Sequence, residues 1–313
     1  MLQQYLMAVG AGLASAVLFV LPAKGSLAAV LIGLISPLPL MIAALTRWDR
    51  MGLVAAFIGA TAIALGLDPL VAGAFAVSVA VPALALAYLS GRPQTSAPGV
   101  LLLACVLLSM FVSWAGLAME IYGSASFEAA IDDLATQLTP YAAQMLTAAD
   151  SVLGGVDPHV FARWVALALT PAAAAWGVAG LAGNLWMAGR VTAISGLLLR
   201  SWPDVPATLR LPRAAIALLG VALALCLAQG LVRELASGAV AALTVGYTCN
   251  GLAVLHGVTR GRAGRPGLLI GFYAFCFALF PWPLLVAAGL GLADAVRPIR
   301  RGGAAIPPTP KPS

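Results

Sequence analysis

Long apolar runs separated by short polar breaks make up almost the whole chain. The first run covers about residues 5–21 and stops at Pro22 and Lys24. A second, about 26–46, ends at Arg47-Trp48-Asp49-Arg50, and a third, about 51–67, ends at Asp68-Pro69. The fourth (70–89) and fifth (99–119) flank a polar loop rich in Pro, Ser and Gly. The remaining runs cover about 159–187, 214–232, 236–258 and 267–296, the last broken at Pro281-Trp282-Pro283. Several reach the roughly 20 residues that span a bilayer core. The pattern predicts an all-α, polytopic integral membrane protein with eight to ten transmembrane helices. Residues 1–296 form a single membrane domain, and 297–313 form a basic tail expected to be disordered.

The centre of the second run, Ile35-Ser36-Pro37-Leu38-Pro39-Leu40, is its least helical part. Two prolines remove two backbone donors, so a straight helix is not expected. At membrane depth the freed carbonyls need partners within the protein or in a cavity. Pro281-Trp282-Pro283-Leu284 echoes Pro37-Leu38-Pro39-Leu40, and Pro-interrupted spans in two halves of a chain can mark an inverted repeat around a central site.

Residues 120–158 differ from the rest. They hold Glu120, Glu128, Asp132, Asp133, Asp150 and Asp157, and no Lys or Arg. Two amphipathic helices are predicted, one through Phe127, Ala130, Ile131 and Leu134. The second starts at Thr139-Pro140 and runs through Leu138, Tyr141, Met145, Ala149 and Val152. Both are expected to lie along the membrane surface. Residues 189–213 form a basic loop with a short amphipathic helix at Val191, Ile194, Leu197 and Leu198. Arg190, Arg200, Arg210 and Arg213 should face water or headgroups.

Charge then sets orientation. With the N-terminus on one side, that side collects Arg47, Arg50, Arg92, Arg190, Arg200, Arg210, Arg213, Arg260, Arg262 and Arg265, against Lys24, Arg163 and Arg233 opposite. The positive-inside rule makes the N-terminal side cytoplasmic. Nine spans would leave the basic tail outside; a re-entrant hairpin about Pro281-Trp282-Pro283 would return it inside. The composition (62% hydrophobic, 9% charged) excludes a soluble fold and a nucleic-acid surface. Met1-Leu2-Gln3-Gln4 lacks the basic start of a cleaved signal peptide, so the first helix is expected to stay. The four cysteines, one per apolar run, read as buried thiols.

Candidate chemistry is sparse. Ser36, Thr170 and Thr244 each fall about 13–15 Å from the outer end of their spans, with Tyr247 slightly deeper. With Asn250 they form a polar midplane layer that would line a small-molecule pocket or supply interhelical hydrogen bonds. Arg163 sits at the outer mouth, where it would steer an anionic ligand or pair with Glu120. Arg233-Glu234 reads as a turn. Ala8, Gly12 and Ala16 give the first helix a small-residue face for close packing, within the protein or with a partner. No metal-protease, Walker or nucleophile-elbow motif is present, and the spans hold few ionisable groups. The reading is a protein without catalytic residues, metal or cofactor.

Five motifs carry a family resemblance. They are Ser36-Pro37-Leu38-Pro39 leading to Arg47, Asn184-Leu185-Trp186 with Arg190, Leu209-Arg210-Leu211-Pro212-Arg213, Gly251-Leu252-Ala253-Val254-Leu255-His256, and Gly291-Leu292-Ala293-Asp294. In these the chain resembles the YybS-like family of bacterial inner-membrane proteins, which is similar to the S components of energy-coupling-factor vitamin transporters. The resemblance implies an S-component-like bundle in a bacterial cytoplasmic membrane that binds a vitamin-like small molecule. Ala8, Gly12 and Ala16 would dock an energy-coupling membrane subunit, with ATPases as further partners. The alternative is a non-catalytic scaffold or a protein that interacts with membrane lipids.

Overall fold

A computed structural model describes residues 2–46, 50–148, 155–198 and 202–299. Among the described residues the secondary structure is helical, apart from one isolated bridge between Thr46 and Leu198. Among the described residues, six stretches are long and apolar enough to cross a membrane: Gln4–Ala23, Ala28–Leu45, Pro69–Ser90, Pro98–Ile121, Pro158–Ile194 and Gly230–Val258. Of the eight to ten spans expected, only these reach that length; Arg50–Gly66, Ala214–Leu225, Arg265–Ala278 and Trp282–Val296 are shorter apolar helices. Length and composition make this an all-helical, multi-pass membrane protein. The boundary residues Arg47, Trp48 and Asp49, the face positions Ala149 and Val152, Arg200, and the tail from Arg300 lie outside the described residues.

α1 (Leu2–Val20) packs along α4 (Arg50–Gly66). Its face Ala8, Gly12 and Ala16 is used inside the bundle, which corrects the expectation of an open docking face. Ala8 and Ala16 are buried, and a Cβ on Gly12 would collide with the backbone carbonyl of Ala55. Gly12→Leu is therefore expected to disrupt α1–α4 packing itself, seen as a lowered Tm of the purified chain. An unchanged Tm with loss of a bound partner would instead restore the docking role.

The second span is broken where the prolines demand it, into α2 (Leu27–Gly33) and α3 (Pro37–Leu45). Pro37 and Pro39 cannot donate to the carbonyls of Gly33 and Ile35. Those carbonyls instead accept from Ser36 N (3.0 Å) and Leu38 N (3.0 Å) in tighter turns. The diversion bypasses Leu34 O, which accepts from Asn184 Nδ2 at 2.8 Å, and Ser15 Oγ donates to Ser36 O at 2.6 Å. Side chains from two other helices thus supply the donors that lipid cannot.

The fourth span is α5 (Pro69–Phe75), a π turn (Ala76–Ala80) and α6 (Val81–Ser90). Asp68 caps it through Leu70 N at 2.7 Å. The wide turn, in which Val81 N–H reaches Ala76 O, adjoins Pro82, which lacks a donor. α7 (Pro98–Ile121) follows. The acidic segment forms one amphipathic helix, α8 (Phe127–Ala148), not two. Pro140 is tolerated inside it because Thr136, whose carbonyl it cannot serve, is on the exposed side with it.

α9 (Pro158–Ile194) is 37 residues, about 55 Å at helical rise. Val191 and Ile194 belong to its last turn rather than to a separate surface helix. α7 and α9 divide the bundle. Leu101 and Cys105 of α7, with Leu181 and Leu185 of α9, face the core built from α1 to α6. Leu102 and Val106, with Ala174 and Val178, face the second core.

A short helix, α10 (Val205–Thr208), leads to α11 (Ala214–Leu225). The turn after α11 comes earlier than the sequence suggests, so α12 (Gly230–Val258) takes Arg233 and Glu234 into its first turns. α13 (Arg265–Ala278) and α14 (Trp282–Val296) complete the described chain.

One end of the bundle gathers the ends of α3, α9 and α12 and the start of α7, joined by Leu198 and residues 202–210. Thr46 bridges Leu198, the Trp202 ring covers Gly189, the Arg210 carbonyl abuts Gly99, and Asp204 pairs with Arg260. This is the basic face. α13 starts there, seven residues after α12 ends, and α14 finishes there, since Asp294 in its last turn meets Arg210 at 3.3 Å. The α13–α14 pair therefore enters and returns on the same face, with its apex at Leu279–Pro281. α3 and α14 both end on that face, so the two Pro-led helices are not an opposed pair, and the inverted-repeat expectation falls.

Candidate functional site

The anticipated midplane layer does not form one pocket. Ser36 is buried in the first core at the α2–α3 break. Thr170 lies across the partition, beside Gly238 and the Glu234 carboxyl. Thr244 donates to Val240 O of its own helix at 2.7 Å. Asn250, fully buried, donates to Gly291 O at 2.7 Å and ties α12 to α14. Tyr247 is buried too, and its hydroxyl has no hydrogen-bond partner. These are largely the interhelical and intrahelical bonds that polar residues supply in membranes.

Arg163 is held by α8. It donates to Asp132 at 2.9 Å and to Glu128 at 2.5 Å, and Glu120 is not among its partners. Its charge is thus balanced by the acidic helix, which stays fastened to the start of α9. Glu234, read from sequence as part of a turn, is instead 5% exposed, with Oε1 unpartnered. Apolar flanks gave no hint of that burial.

Among the cavities of the described residues, two stand out, and Ser36, Thr170, Thr244, Tyr247, Asn250 and Arg163 line neither. The smaller, about 230 Å³, is almost wholly apolar and lies between α1 and α3. The larger, about 940 Å³, opens at the basic face between α3, α4, α6, the start of α7 and Leu198, Trp202 and Pro203. Its volume is within the range of ligand pockets. Arg50, Tyr88, Arg92, Ser96 and Trp202 supply polar groups, while Leu45, Leu53, Leu84, Leu101 and Leu198 supply apolar walls. None of the described lining residues is acidic.

Local structure sets these side chains in place. Arg92 follows the end of α6 and folds back over the Tyr88 ring, 4.1 Å from its centroid, while donating to the Tyr88 hydroxyl. The stack uses both the charge and the flat shape of guanidinium. Trp202 is pinned by the absence of a side chain at Gly189, where a Cβ would strike the ring. Its indole N–H is buried and has no acceptor. Two residues on, Asp204 accepts from Arg260 Nη1 and Nη2 at 2.5 and 2.6 Å, fastening this wall to the end of α12.

The Arg260 hydrogen bonds hold the Asp204 carboxyl below its usual range. Folding favours the carboxylate, so its contribution is present above the ordinary carboxyl value and fades as pH falls through the lowered one. Both side chains are nearly half exposed, at 43% and 47%, so solvent screening limits the pair. Asp204→Asn should cost less than about 1 kcal/mol at neutral pH. Its stability should converge with the parent's in strong acid and in high salt. Thermal unfolding across pH tests this, and a gap that persists at low pH would assign the stabilisation elsewhere.

Sequence reading used Arg50 and Arg92 only for orientation and passed over Tyr88 and Trp202. The available signal was an Arg four residues after a Tyr at a membrane boundary. Three of the five resemblance motifs meet, Gly251 with Gly291 and Arg210 with Asp294, while Asn184 of a fourth donates to Leu34 O just ahead of the first. Comparison with protein-family models, curated proteins and solved structures finds no match.

Proposed function

We propose that this chain is a non-catalytic membrane protein that binds an anionic amphiphile in the cavity at its basic face. The observation that carries this reading is the cavity's polarity gradient. Arg50, Arg92 and Ser96 lie at the rim, with Leu53 and Leu84 about one to two helical turns deeper. Leu53 is 62% exposed, so the apolar part is open towards the acyl region of a surrounding bilayer. The basic face, with Arg190, Arg213 and Arg262 also exposed on it, is cytoplasmic by the positive-inside rule, in a bacterial inner membrane with the N-terminus inside. The returning hairpin supports Arg297 lying on the same side.

Native mass spectrometry of the protein gently extracted from its membrane tests the reading. A retained amphiphile is expected, and Ala85→Trp, which fills the cavity wall, should abolish its retention. Equal retention by both proteins would count against the site.

A second reading, an S-component-like subunit for a vitamin-like molecule, is favoured by one observation. Two buried groups near mid-membrane, Asn184 Oδ1 and the Tyr247 hydroxyl, have no hydrogen-bond partner. Co-purification with an energy-coupling membrane subunit and ATPases would support it. The face of α1 expected to dock that subunit is covered by α4.

A further inference from the structure

The α13–α14 hairpin lines neither cavity, and we propose that its apex and α13 form an intramembrane interface with a second copy of this chain. The hairpin reaches mid-membrane. Leu284 O, just past the apex, accepts from Thr248 Oγ1 at 3.2 Å. Thr248 lies ten residues before the end of α12, about 15 Å, and a bilayer core is roughly 30 Å thick. At that depth the apex backbone is irregular. Its turn bonds run from Leu279 N to Phe275 O, from Trp282 N to Leu279 O and from Leu284 N to Pro281 O. Phe280 N enters none of them, and Pro281 has no N–H to offer Phe277 O.

Lipid cannot serve these groups, and irregular backbone persists at such depth only under protein or beside water. The break at Ser36 is covered in the first way, by Asn184 and Ser15. The apex has no such cover among the described residues, since Leu279, Phe280, Pro281 and Trp282 are all exposed. These side chains are apolar or aromatic, unsuited to line a water-filled cavity, so the missing cover is protein.

α13 is bare as well. Cys276 is its one buried residue, and Phe277 is 92% exposed. The helix is tied to α12 through Tyr273, whose hydroxyl is 2.8 Å from His256 Nε2. Gly267, Gly271 and Ala274 each fall two residues before or after Leu269, Tyr273 and Cys276, hence nearly opposite that tie. A Cβ at Gly267 or Gly271 would meet nothing within 4 Å, which leaves room for another helix to come close.

A second copy fits by symmetry and by area. Two copies inserted in the same sense present α13 in parallel, and a two-fold axis along the membrane normal sets Gly271 against Gly271. The apices then meet at one depth. Each has an unserved donor, Phe280 N–H, and an unserved acceptor, Phe277 O, so the patch is self-complementary as such an axis requires. Leu268, Ile270, Phe275, Phe277, Phe280 and Trp282 expose on the order of 800 Å² of apolar surface. One partner in a standard interface contributes about 800 Å².

Energy transfer between two labelled pools of the full chain in phosphatidylcholine liposomes tests this as the protein is diluted in lipid. A dimer is expected. Gly271→Ile should weaken it at least about tenfold, close to 1.4 kcal/mol, at unchanged Tm in detergent. Gly271→Ala keeps a small residue and should weaken it far less. Phe277→Ala, which removes contact area without adding bulk, should weaken it severalfold. Gly220→Ile, at an equally open position on α11, should leave it intact. A chain that stays monomeric at the highest protein-to-lipid ratio would overturn the proposal, as would a dimer indifferent to both Gly271→Ile and Phe277→Ala. A one-to-one complex with a different protein, extracted from native membrane and lost in Gly271→Ile, would overturn the choice of a second copy.

Discussion

Arg210→Leu is expected to destabilise the folded chain by about 1–3 kcal/mol, the range for taking a hydrogen-bond partner from a buried group, since Arg210 itself is 39% exposed. Asp294 has no exposed side-chain surface, and Arg210 meets it at 3.3 Å. Asp294 also accepts from Ile299 N at 2.9 Å, so the carboxylate holds the chain beyond α14 as well as the segment between α10 and α11. Without the guanidinium, the buried carboxylate would lose its charged partner and keep only its remaining hydrogen bonds, such as that from Ile299 N. The double variant Arg210→Leu, Asp294→Leu removes both charges and should recover much of the loss, because the desolvation cost vanishes with the attraction. Thermal or denaturant unfolding of the three proteins in one detergent measures this. Equal stability of single and double variants would show that the pair is already hydrated.

Gly251→Ala is the second large effect, expected at about 1–3 kcal/mol, with Gly291→Ala similar. Ala normally gains about 1 kcal/mol over Gly inside a helix. Here packing reverses the sign. A Cβ on Gly251 would collide with the carbonyl of Ala287, and one on Gly291 with the carbonyl of Tyr247. Both obstacles are backbone, so no rotamer change relieves them, and α12 and α14 must separate. Separation would also pull Gly291 O from Asn250 Nδ2 and Leu284 O from Thr248 Oγ1, now 2.7 and 3.2 Å apart. Gly271→Ala on α13 is the control, since nothing lies within 4 Å of its Cβ position. It should be neutral or slightly stabilising. If Gly251→Ala behaved like Gly271→Ala, the close approach would not be needed for stability.

Many of the helices were legible in the sequence because each is written in local terms: an apolar run, a cap such as Asp68 or Asp157, a pair of prolines. The break at Ser36 followed from the missing N–H groups of Pro37 and Pro39, which no tertiary context restores. Boundaries failed where context outweighed a local signal. Thr139-Pro140 has the residues of a helix start, yet α8 passes through it because the unserved carbonyl is exposed. Arg233-Glu234 has the charges of a turn, yet it lies within α12 because the chain reverses at residues 226–229.

The candidate site was not legible, and the reason is physical. Ser36, Thr170, Thr244, Tyr247, Asn250 and Arg163 are the costly residues of an apolar sequence. A bundle meets that cost by bonding most of them to neighbours: Asn250 to Gly291, Arg163 to Glu128 and Asp132. Arg50, Tyr88, Arg92 and Trp202 look ordinary at membrane boundaries. They become a candidate site only because the start of α4, the α6–α7 loop, Leu198, Trp202 and Pro203 converge on one face.

By itself, then, the sequence determined the class of this protein, its break at Ser36, and its acidic and basic faces. Hydrophobic length, backbone donor count and charge are properties of short stretches and need no partner. Only the tertiary structure decided which glycine meets which carbonyl and that α13–α14 turns back. It also paired Arg210 with Asp294 and placed the cavity at the basic face. Each of these depends on contacts between residues far apart in the chain, and apolar helices of similar composition carry little local information about which neighbour they will choose.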